Sequence, residues 1–338
     1  MKDGLLLIDK ETGCTSHDVV QKARRILKEK KIGHCGTLDP DATGLLLLTV
    51  GTATRLTRFL IRAPKVYEGT IRFGTATDTY DAAGQVTSEA SIEGLTQDAI
   101  EAEMARFVGT FEQTTPAYSA KKVGGVKLYE MARRGEEVPI ETKEVTVYEF
   151  APTRALADGS ITFRLACTSG TYARSLAHDV GQALGCGAHL SALRRIKIGT
   201  FGIDQAVTLG VLADRLASPA SSPAVHALPE PEAAEPRVPQ AAEPSVAKPT
   251  TAGSLTASAG SAWVPFDQIP LPFGAVVADT QQEQRIRHGQ TVLVRELDGD
   301  EGDWVELRNR RRQLVAVGTI IERIGSGGTG IVQPKVVF

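Results

Sequence analysis

The sequence predicts a mixed α/β protein with a small β-barrel domain at its C-terminal end. Strand-like apolar runs alternate with amphipathic helical segments through residues 1–216. Short strand candidates separated by turns follow in residues 263–338. Between them, residues 217–262 hold eight of the seventeen prolines and no aromatic residue. Such a segment buries too little apolar surface to fold, so we expect a linker between two domains.

Length, charge and cysteine content narrow the class of protein. The chain of 338 residues is long enough for more than one domain with a sizeable core. Its net charge of −2 means that any nucleic-acid binding must come from local basic patches. The four cysteines form no C-x-x-C pair and have no histidine at zinc spacing, which indicates reduced thiols, a cytosolic protein and no metal site. No apolar leader and no run of 18 apolar residues is present, so we expect neither secretion nor a membrane span.

The first elements are a strand, a turn and a basic helix. Residues Gly4–Lys10 form the apolar run of a strand, and Thr15 or Ser16 can cap a helix that runs to about Lys30. The exposed face of this helix is rich in lysine and arginine. A solvated helix face and a phosphate-contacting surface are both compatible with that pattern. The apolar face consists of Val19, Val20, Ala23, Ile26 and Leu27.

The most informative segment is Gly33–Gly44, which contains three glycines and one proline. That composition predicts a shaped loop, and the loop runs directly into Leu45–Val50, a buried strand candidate. Within the loop, Asp39 precedes Pro40 and is therefore biased toward an extended backbone. A lone Asp-Pro pair is usually a turn, but the flanking glycines and the following strand favour a loop that presents chemistry.

The middle of the first region alternates short helices and strands. We expect a helix over Ala53–Ile61, a strand over Lys65–Phe73, a loop over Thr77–Gly84 and an amphipathic helix over Thr96–Val108. The strand alternates in hydrophobicity, and from periodicity alone Tyr67 is a core residue.

Residues 116–143 are basic, interrupted by glycines and punctuated by tyrosines. That mixture suits a segment that closes on a polyanion, and it equally suits a flexible solvated loop. Lys121 and Lys122 are its adjacent lysines.

A second chemically distinctive segment follows two further strands, Val145–Phe150 and Ile161–Cys167. A glycine turn leads into a helix that begins near Thr171, so Tyr172 and Arg174 lie in its first turn. A cation is disfavoured at a helix N-terminus. We therefore expect Arg174 to have a carboxylate partner.

The last region contains five strand candidates separated by polar turns, as in a small β-barrel. These candidates are residues 276–278, 292–294, 304–307, 314–321 and 332–338.

The loop Gly33–Gly44 resembles the signature of the TruB family of tRNA pseudouridine synthases. The segments Thr168–Gly181 and His189–Gly199 resemble further parts of the same family. The loop departs from the family pattern at Cys35, where threonine is usual, and at Asp41, where an apolar residue is common. The resemblance implies the pseudouridine synthase fold, with a central, mostly antiparallel sheet, followed by an RNA-binding barrel of the PUA type.

The resemblance also implies roles for individual residues. Asp39 would be the catalytic nucleophile, and Arg174 would pair with it. Tyr67 would stack on the target base, while Tyr172 would line the pocket and could assist proton transfer. Residues implied to contact RNA are His34, Lys10, Asp81, Leu193, Lys121 and Lys122.

The implied reaction detaches uracil from its ribose and rejoins it through C5, at uridine 55 in the T loop of tRNA. It needs no cofactor and no metal. The base must leave the RNA stack to reach the enzyme. Attack of Asp39 on uracil C6 and attack on ribose C1′ both stay open. The resemblance further implies a cytoplasmic monomer with no obligatory protein partner, whose C-terminal domain could contact the tRNA acceptor end.

Three other functions stay open at this level. The first is the homologous guide-RNA-dependent synthase of ribonucleoproteins, although residues 116–143 and the absence of a long lysine-rich tail speak against it. The second is a tRNA chaperone role, alone or alongside catalysis. The third and most distant is a hydrolase that uses Asp39 with His178, whose position on a helix next to Asp179 favours a structural role instead.

Overall fold

The computed structural model describes residues 3–116, 134, 141–217, 262–325 and 328–338, and the backbone of residues 122–123 and 126–127. The described strands are β1 Gly4–Lys10, β2 Ile32–His34, β3 Thr43–Val50, β4 Lys65–Phe73, β5 Thr75–Thr77, β6 Val86–Glu89, β7 Gly109–Thr114, β8 Lys122–Val123, β9 Val126–Lys127, β10 Thr142–Pro152, β11 Ser160–Cys167, β12 Ala188–Ile198, β13 Phe201–Gly202, β14 Trp263–Pro265, β15 Gly274–Val277, β16 Val292–Val294, β17 Trp304–Arg308, β18 Leu314–Ile324 and β19 Thr329–Val337. The described α-helices are α1 Ser16–Leu27, α2 Thr57–Leu60, α3 Gln97–Ala105, α4 Ala173–Ala183, α5 Leu209–Ala217 and α6 Thr280–Arg287.

A ten-stranded sheet forms the centre of the molecule. Its main path is β14-β1-β3-β12-β4-β11-β10-β7, with β2 beside β3 and β13 beside β12. Only the short β3–β12 pairing is parallel in the described part of this sheet. The mixed α/β class with a largely antiparallel central sheet is therefore confirmed.

Strands β1 and β3 are buried on both faces, which explains why each is a continuous apolar run. Leu45 and Leu47 of β3 belong to one core cluster, and Leu46 and Leu48 belong to another on the opposite face. Helices α1 and α5 cover the second face, where Val19, Val20, Ala23 and Leu212 are buried. Helices α3 and α4 cover the part of the sheet built from β4, β10, β11 and β12.

Two helices differ from the sequence expectation at their ends. Thr15 caps α1 in a reciprocal capping box with Asp18, as predicted, but the helix ends at Leu27 rather than near Lys30. It ends there because Lys28 adopts the left-handed conformation, with φ of 53°, and donates its N–H to Arg24 O. The helix expected over residues 53–61 is a 3-10 segment, Gly51–Leu56, followed by the short helix α2.

The C-terminal region forms a curled five-stranded half-barrel in the order β15-β17-β18-β19-β16. All five predicted strands are present. Strand β14 lies in the segment that we assigned to this domain, but it pairs with β1 at the edge of the large sheet. That pairing occupies backbone groups that an edge strand would leave open.

Some predictions fall on residues that the structure does not describe. Lys121 and the side chain of Lys122 lie outside the described residues, as does most of the predicted insertion 116–143. Residues 218–261, which make up nearly all of the predicted linker, also lie outside them. Among the helices that are described, none combines the length and the apolar character needed to cross a lipid bilayer.

Candidate active site

The loop between β2 and β3 presents Asp39 to solvent between two buried anchors. Leu38 and Ala42 are both buried in the core cluster under the sheet. The Asp39 side chain between them is 49% exposed. Ala42 N donates to Asp39 O at 3.1 Å, which closes a tight turn around the residue. The backbone is thus fixed while the carboxylate stays accessible.

Two side chains from the N-terminal elements hold this loop. The Ser16 hydroxyl, at the start of α1, accepts from Leu38 N at 2.9 Å and donates to Leu38 O at 3.2 Å. The Lys10 amine, at the end of β1, donates to Pro40 O at 2.9 Å and to Ala42 O at 2.7 Å. Lys10 is almost fully buried, and burial lowers the pKa of its amine. Its amine is bonded to the protein's own loop, so the predicted RNA contact of Lys10 finds no support in this geometry.

Arg174 lies between two carboxylates. Its NH1 is 3.4 Å from Asp81 Oδ2 and 3.9 Å from Asp39 Oδ2. The other oxygen of Asp81 accepts from Thr79 Oγ1 at 2.6 Å and from Ala83 N at 3.1 Å, so its own loop fixes that carboxylate. We predicted a carboxylate partner for this helix-start arginine, and the structure provides two, of which Asp81 is the nearer.

The start of α4 is fixed by a buried glutamine from β7. Gln113 Oε1 accepts from Tyr172 N at 2.8 Å, and Gln113 Nε2 donates to Tyr172 O at 3.1 Å. The Arg174 guanidinium lies 5.9 Å from the centroid of the Tyr172 ring, a cation–π distance. Gln113 therefore sets the position of both side chains. A lone glutamine in a polar strand gave no sequence signal for this role.

Tyr67 lies on the buried face of β4, in the same core cluster as Leu38 and Ala42. Burial raises the pKa of its hydroxyl, and the positive charge of the neighbouring Arg195 opposes that rise. Its burial agrees with the periodicity argument, and its position under the Asp39 loop agrees with the resemblance.

Sequence reasoning missed two buried cations beside Tyr67. Lys65 is 4% exposed, and its amine donates to Ile61 O and Ala63 O, each at 2.7 Å. Burial lowers the pKa of Lys65 to about 8. Arg195 is 1% exposed. A signal did exist for Lys65, because it falls on the apolar side of an alternating strand.

His34 and Leu193 flank this core. His34 ends β2, and burial followed by the charge of Arg195 lowers the pKa of its imidazole. Its Nδ1 is buried, with no hydrogen-bond partner among the described residues. Leu193 is half-buried and packs against the cluster that contains Tyr67.

His178 has a different environment from the one a hydrolase would need. Its ring stacks on Tyr80 with centroids 3.8 Å apart. No hydrogen bond or ion pair joins it to Asp39 in the part of the chain that the structure describes. The stack supports the structural role that we favoured for this histidine. Across the same described ranges, no group of histidine, cysteine and acidic side chains has the arrangement of a metal site.

Of the predicted catalytic residues, Asp39, Arg174 and Tyr172 meet through the contacts described above, and Tyr67 lies beneath them. Asp81 joins them through Arg174, which makes it part of the same charge network. A carboxylate beside a fixed cation, above a buried aromatic ring, can act as an oriented nucleophile toward a planar base.

Comparison with protein families gives two adjoining matches. Residues 24–173 match the family model described as "TruB family pseudouridylate synthase (N terminal domain)". Residues 174–228 match "tRNA pseudouridylate synthase B C-terminal domain". The matched segments contain every element of the site described above except β1 and the start of α1. The second match covers most of α4 and all of β12 and α5, and it extends eleven residues past α5 into residues outside the described ranges.

Several proteins resemble the chain. A protein named tRNA pseudouridine synthase B from Solibacter usitatus is 53% identical over 207 residues, which cover 61% of this chain and 70% of that protein. A protein of the same name from Opitutus terrae is 49% identical over 230 residues, covering 68% and 90%. Among solved structures, a chain of a Cbf5-Nop10-Gar1 complex matches with a TM-score of 0.69 at 24% identity, covering 98% of this chain and 84% of that one. At that identity the structural likeness supports the fold alone.

Proposed function

Because the chain belongs to the TruB family of tRNA pseudouridine synthases, we propose that it isomerises uridine 55 in the T loop of tRNA, with Asp39 as the nucleophile. The observation that carries the assignment of Asp39 is its setting. It is an exposed carboxylate on a loop fixed from both sides, within 3.9 Å of a buried arginine.

The chemistry is an internal transfer. The bond between ribose C1′ and uracil N1 breaks, a bond between C1′ and C5 forms, and the C5 proton is lost while N1 gains one. No oxidant, reductant or leaving group is needed. The Asp39 carboxylate attacks uracil C6 or ribose C1′, and the neighbouring Arg174 orients it.

Two tyrosines complete the proposed pocket. Tyr67 stacks on the flipped base, and its burial supports this role because a fixed ring is a pre-organised stacking surface. Tyr172 lines the other side of the pocket and is placed to move a proton at C5. Asp81 keeps Arg174 in position while Asp39 is engaged with the substrate.

The RNA contacts around the pocket belong to the same proposal. His34 fills the gap that the flipped base leaves in the RNA stack, and its lowered pKa favours a neutral ring that can occupy an apolar gap. Leu193 contacts the base edge, and Lys121 and Lys122 grip the backbone. The C-terminal half-barrel contacts the acceptor end. We propose further that the enzyme acts as a monomer in the cytoplasm, without a cofactor or protein partner; its four cysteines are free thiols, which suits a reducing compartment.

The guide-RNA-dependent alternative is less well supported. The relatives that are 53% and 49% identical to the chain over the matched residues are named as tRNA enzymes. The Cbf5 likeness, at 24% identity, speaks only to the fold.

The test compares two aspartates of the same loop. Pseudouridine formation is measured by tritium release from C5-labelled uridine in an unmodified tRNA transcript, with purified protein alone. We expect Asp39→Asn to lower the rate by about 10⁴-fold or more while tRNA binding persists. Asp41→Asn, which removes an exposed charge two residues away, should stay within about threefold of wild type.

Three results would count against the proposal. Tritium release that persists in Asp39→Asn would remove Asp39 as the nucleophile. Tritium release from a transcript that carries cytidine at position 55 would mean that the enzyme modifies a uridine other than uridine 55. Tight binding without turnover by the wild type would favour a chaperone or a missing partner.

A further inference from the structure

We propose that Arg195 is a positioning residue that holds the Tyr67 side chain and the Asp39 loop in one arrangement. This inference rests on the proposed function, because it assigns a role to a residue beneath the same site.

The register of the central sheet places the two side chains together. Arg195 on β12 is the cross-strand partner of Tyr67 on β4, and both lie on the buried face. Side chains directly opposite each other on antiparallel strands are in contact range. The preceding residue, Arg194, instead binds Asp9, with its NH2 2.7 Å from Asp9 Oδ2. A bulge between Arg195 and Lys197 then shifts the register of β12.

The guanidinium reaches three structural units at once. Its Nε donates to Leu45 O of β3 at 2.7 Å, and its NH2 donates to Gly36 O at 3.0 Å. Its NH1 lies 3.5 Å from Thr37 O, two residues before Asp39. The cross-strand pairing places the same side chain beside Tyr67, the proposed stacking ring. One side chain thus ties the nucleophile loop to the surface on which the base would stack.

Burying the positive charge of Arg195 costs free energy, and a role in the site would explain why the charge is there. Arg195 forms no ion pair with any residue that the structure describes, and it lies near a second buried cation, Lys65. Apolar residues of similar volume often replace buried charges without loss of stability. A planar fork with five donors can serve acceptors on a strand and on a loop together while it lies beside a tyrosine, which a lysine amine cannot do. The geometry therefore assigns Arg195 to alignment of the site.

A double-mutant cycle tests this role. Arg195→Met is made in wild type and in Tyr67→Phe, and single-turnover tritium release is followed for as long as slow variants require. We expect Arg195→Met to lower the rate by about 10- to 100-fold, with the Kd for tRNA within about threefold of wild type. In Tyr67→Phe the same change should have an effect at least about threefold smaller, because the hydroxyl whose pKa the charge of Arg195 affects is already absent.

Two further variants keep the test informative. Arg195→Lys retains the charge and loses the fork, so we expect an intermediate rate with a smaller loss of stability. Arg194→Met removes the neighbouring half-buried arginine, whose guanidinium binds Asp9 instead of the Asp39 loop, and should leave the rate within about threefold of wild type. If a variant reacts too slowly to follow, urea unfolding is measured for the same four proteins. A contact between Arg195 and Tyr67 predicts that the two substitutions then have non-additive effects on the free energy of unfolding.

The outcomes separate the two proposals. No tritium release by the wild type would mean that the proposed function fails. A wild-type rate in Arg195→Met would overturn the positioning role. Equal losses in both tyrosine backgrounds, or additive effects on unfolding, would overturn the coupling to Tyr67 while leaving the assignment of Asp39 intact.

Discussion

At the scale of single residues, the exposed carboxylate of Asp39 depends on buried side chains for its position. Asp39 itself is half exposed, and nothing in its own contacts distinguishes it from many loop aspartates except Arg174. Its backbone is fixed by Ser16, Lys10 and Arg195, which are all buried. The position of the proposed nucleophile is therefore set by buried side chains of the protein itself.

The buried amine of Lys65 predicts a pH dependence of stability. Its folded-state pKa is about 8, below the usual value of 10.5, because burial disfavours the ammonium. Between these two values the unfolded chain holds a proton that the folded protein lacks, so this group makes stability rise with pH. We expect the free energy of unfolding of wild type, relative to Lys65→Met, to rise by about 1 kcal/mol from pH 8 to pH 9.

Urea unfolding at pH 7, 8 and 9 measures this difference. Higher pH is less useful, because burial raises the pKa of Cys167 to about 11 and of Cys35 to about 12, and groups with raised acid pKa values lower stability as pH increases. Lys197→Met, at an exposed position of β12, is the control and should show no such trend. Parallel pH curves for wild type and Lys65→Met would contradict the prediction.

The sequence indicated the candidate reactive groups more clearly than the residues that support them. Asp39 stood out because glycines, a proline and a buried strand surround it within one short segment. The helix-dipole argument predicted a carboxylate partner for Arg174. Two loops each supply one, and only the structure shows that Asp81 lies nearer to the guanidinium than Asp39 does. The sequence did not indicate that Lys10 and Arg195 are buried, because side-chain type alone does not reveal burial against distant carbonyl groups.

At the scale of elements, the edge of the large sheet depends on a strand that lies 253 residues beyond β1 in the chain. β14 pairs with the first half of β1, in the register Gly4 to Pro265 and Leu6 to Trp263. Sequence pattern could not predict this pairing, because β14 has only three residues and the residues before it are rich in proline. Long and strongly alternating strands such as β4 were predicted well, because one face of β4 is buried along its whole length.

Gly4 makes that pairing possible. A Cβ at this position would lie 2.5 Å from a ring carbon of Trp263 and 2.5 Å from Val264 O. Backbone and a packed indole cannot both move away, so Gly4→Ala should lower the free energy of unfolding by about 1–3 kcal/mol and change the fluorescence of Trp263. Gly210→Ala in α5 meets nothing closer than 3.8 Å and should be neutral or stabilising by up to about 1 kcal/mol. An unchanged stability and spectrum in Gly4→Ala would mean that β14 is not held in this register.

At the scale of the whole molecule, the half-barrel and the large sheet share one hydrophobic core. Leu45 and Leu47 of β3 belong to the same cluster as Leu314, Val317 and Val336 of the half-barrel. The chain end contributes as well, because Arg55 donates to Val337 O and lies 5.4 Å from the Phe338 ring centroid. Our expectation of two domains is compatible with this, but the two share a core instead of being joined by a linker alone.

An aromatic cluster at this junction predicts how the molecule unfolds. Phe59 of α2 makes edge contacts with Phe273 at 5.2 Å and with Trp304 at 4.9 Å between ring centroids. Trp304, one of the two tryptophans of the chain, lies at the junction, so a change in its fluorescence reports the integrity of the junction, while far-UV circular dichroism reports the sheets. We expect one cooperative transition in wild type, seen identically by both probes.

Phe59→Ala removes the ring that α2 contributes to this cluster, and we expect it to lower the free energy of unfolding by about 3–5 kcal/mol. Because the loss falls on the contact between the two sheets, fluorescence should change at lower denaturant than circular dichroism. Phe150→Ala is the matched control, because Phe150 packs on Phe163 at 5.3 Å within the large sheet's own core. It should destabilise the protein by a similar amount and keep the two probes coincident. Coincident transitions in Phe59→Ala would mean that the shared core, rather than the aromatic cluster, makes the two sheets unfold as one unit.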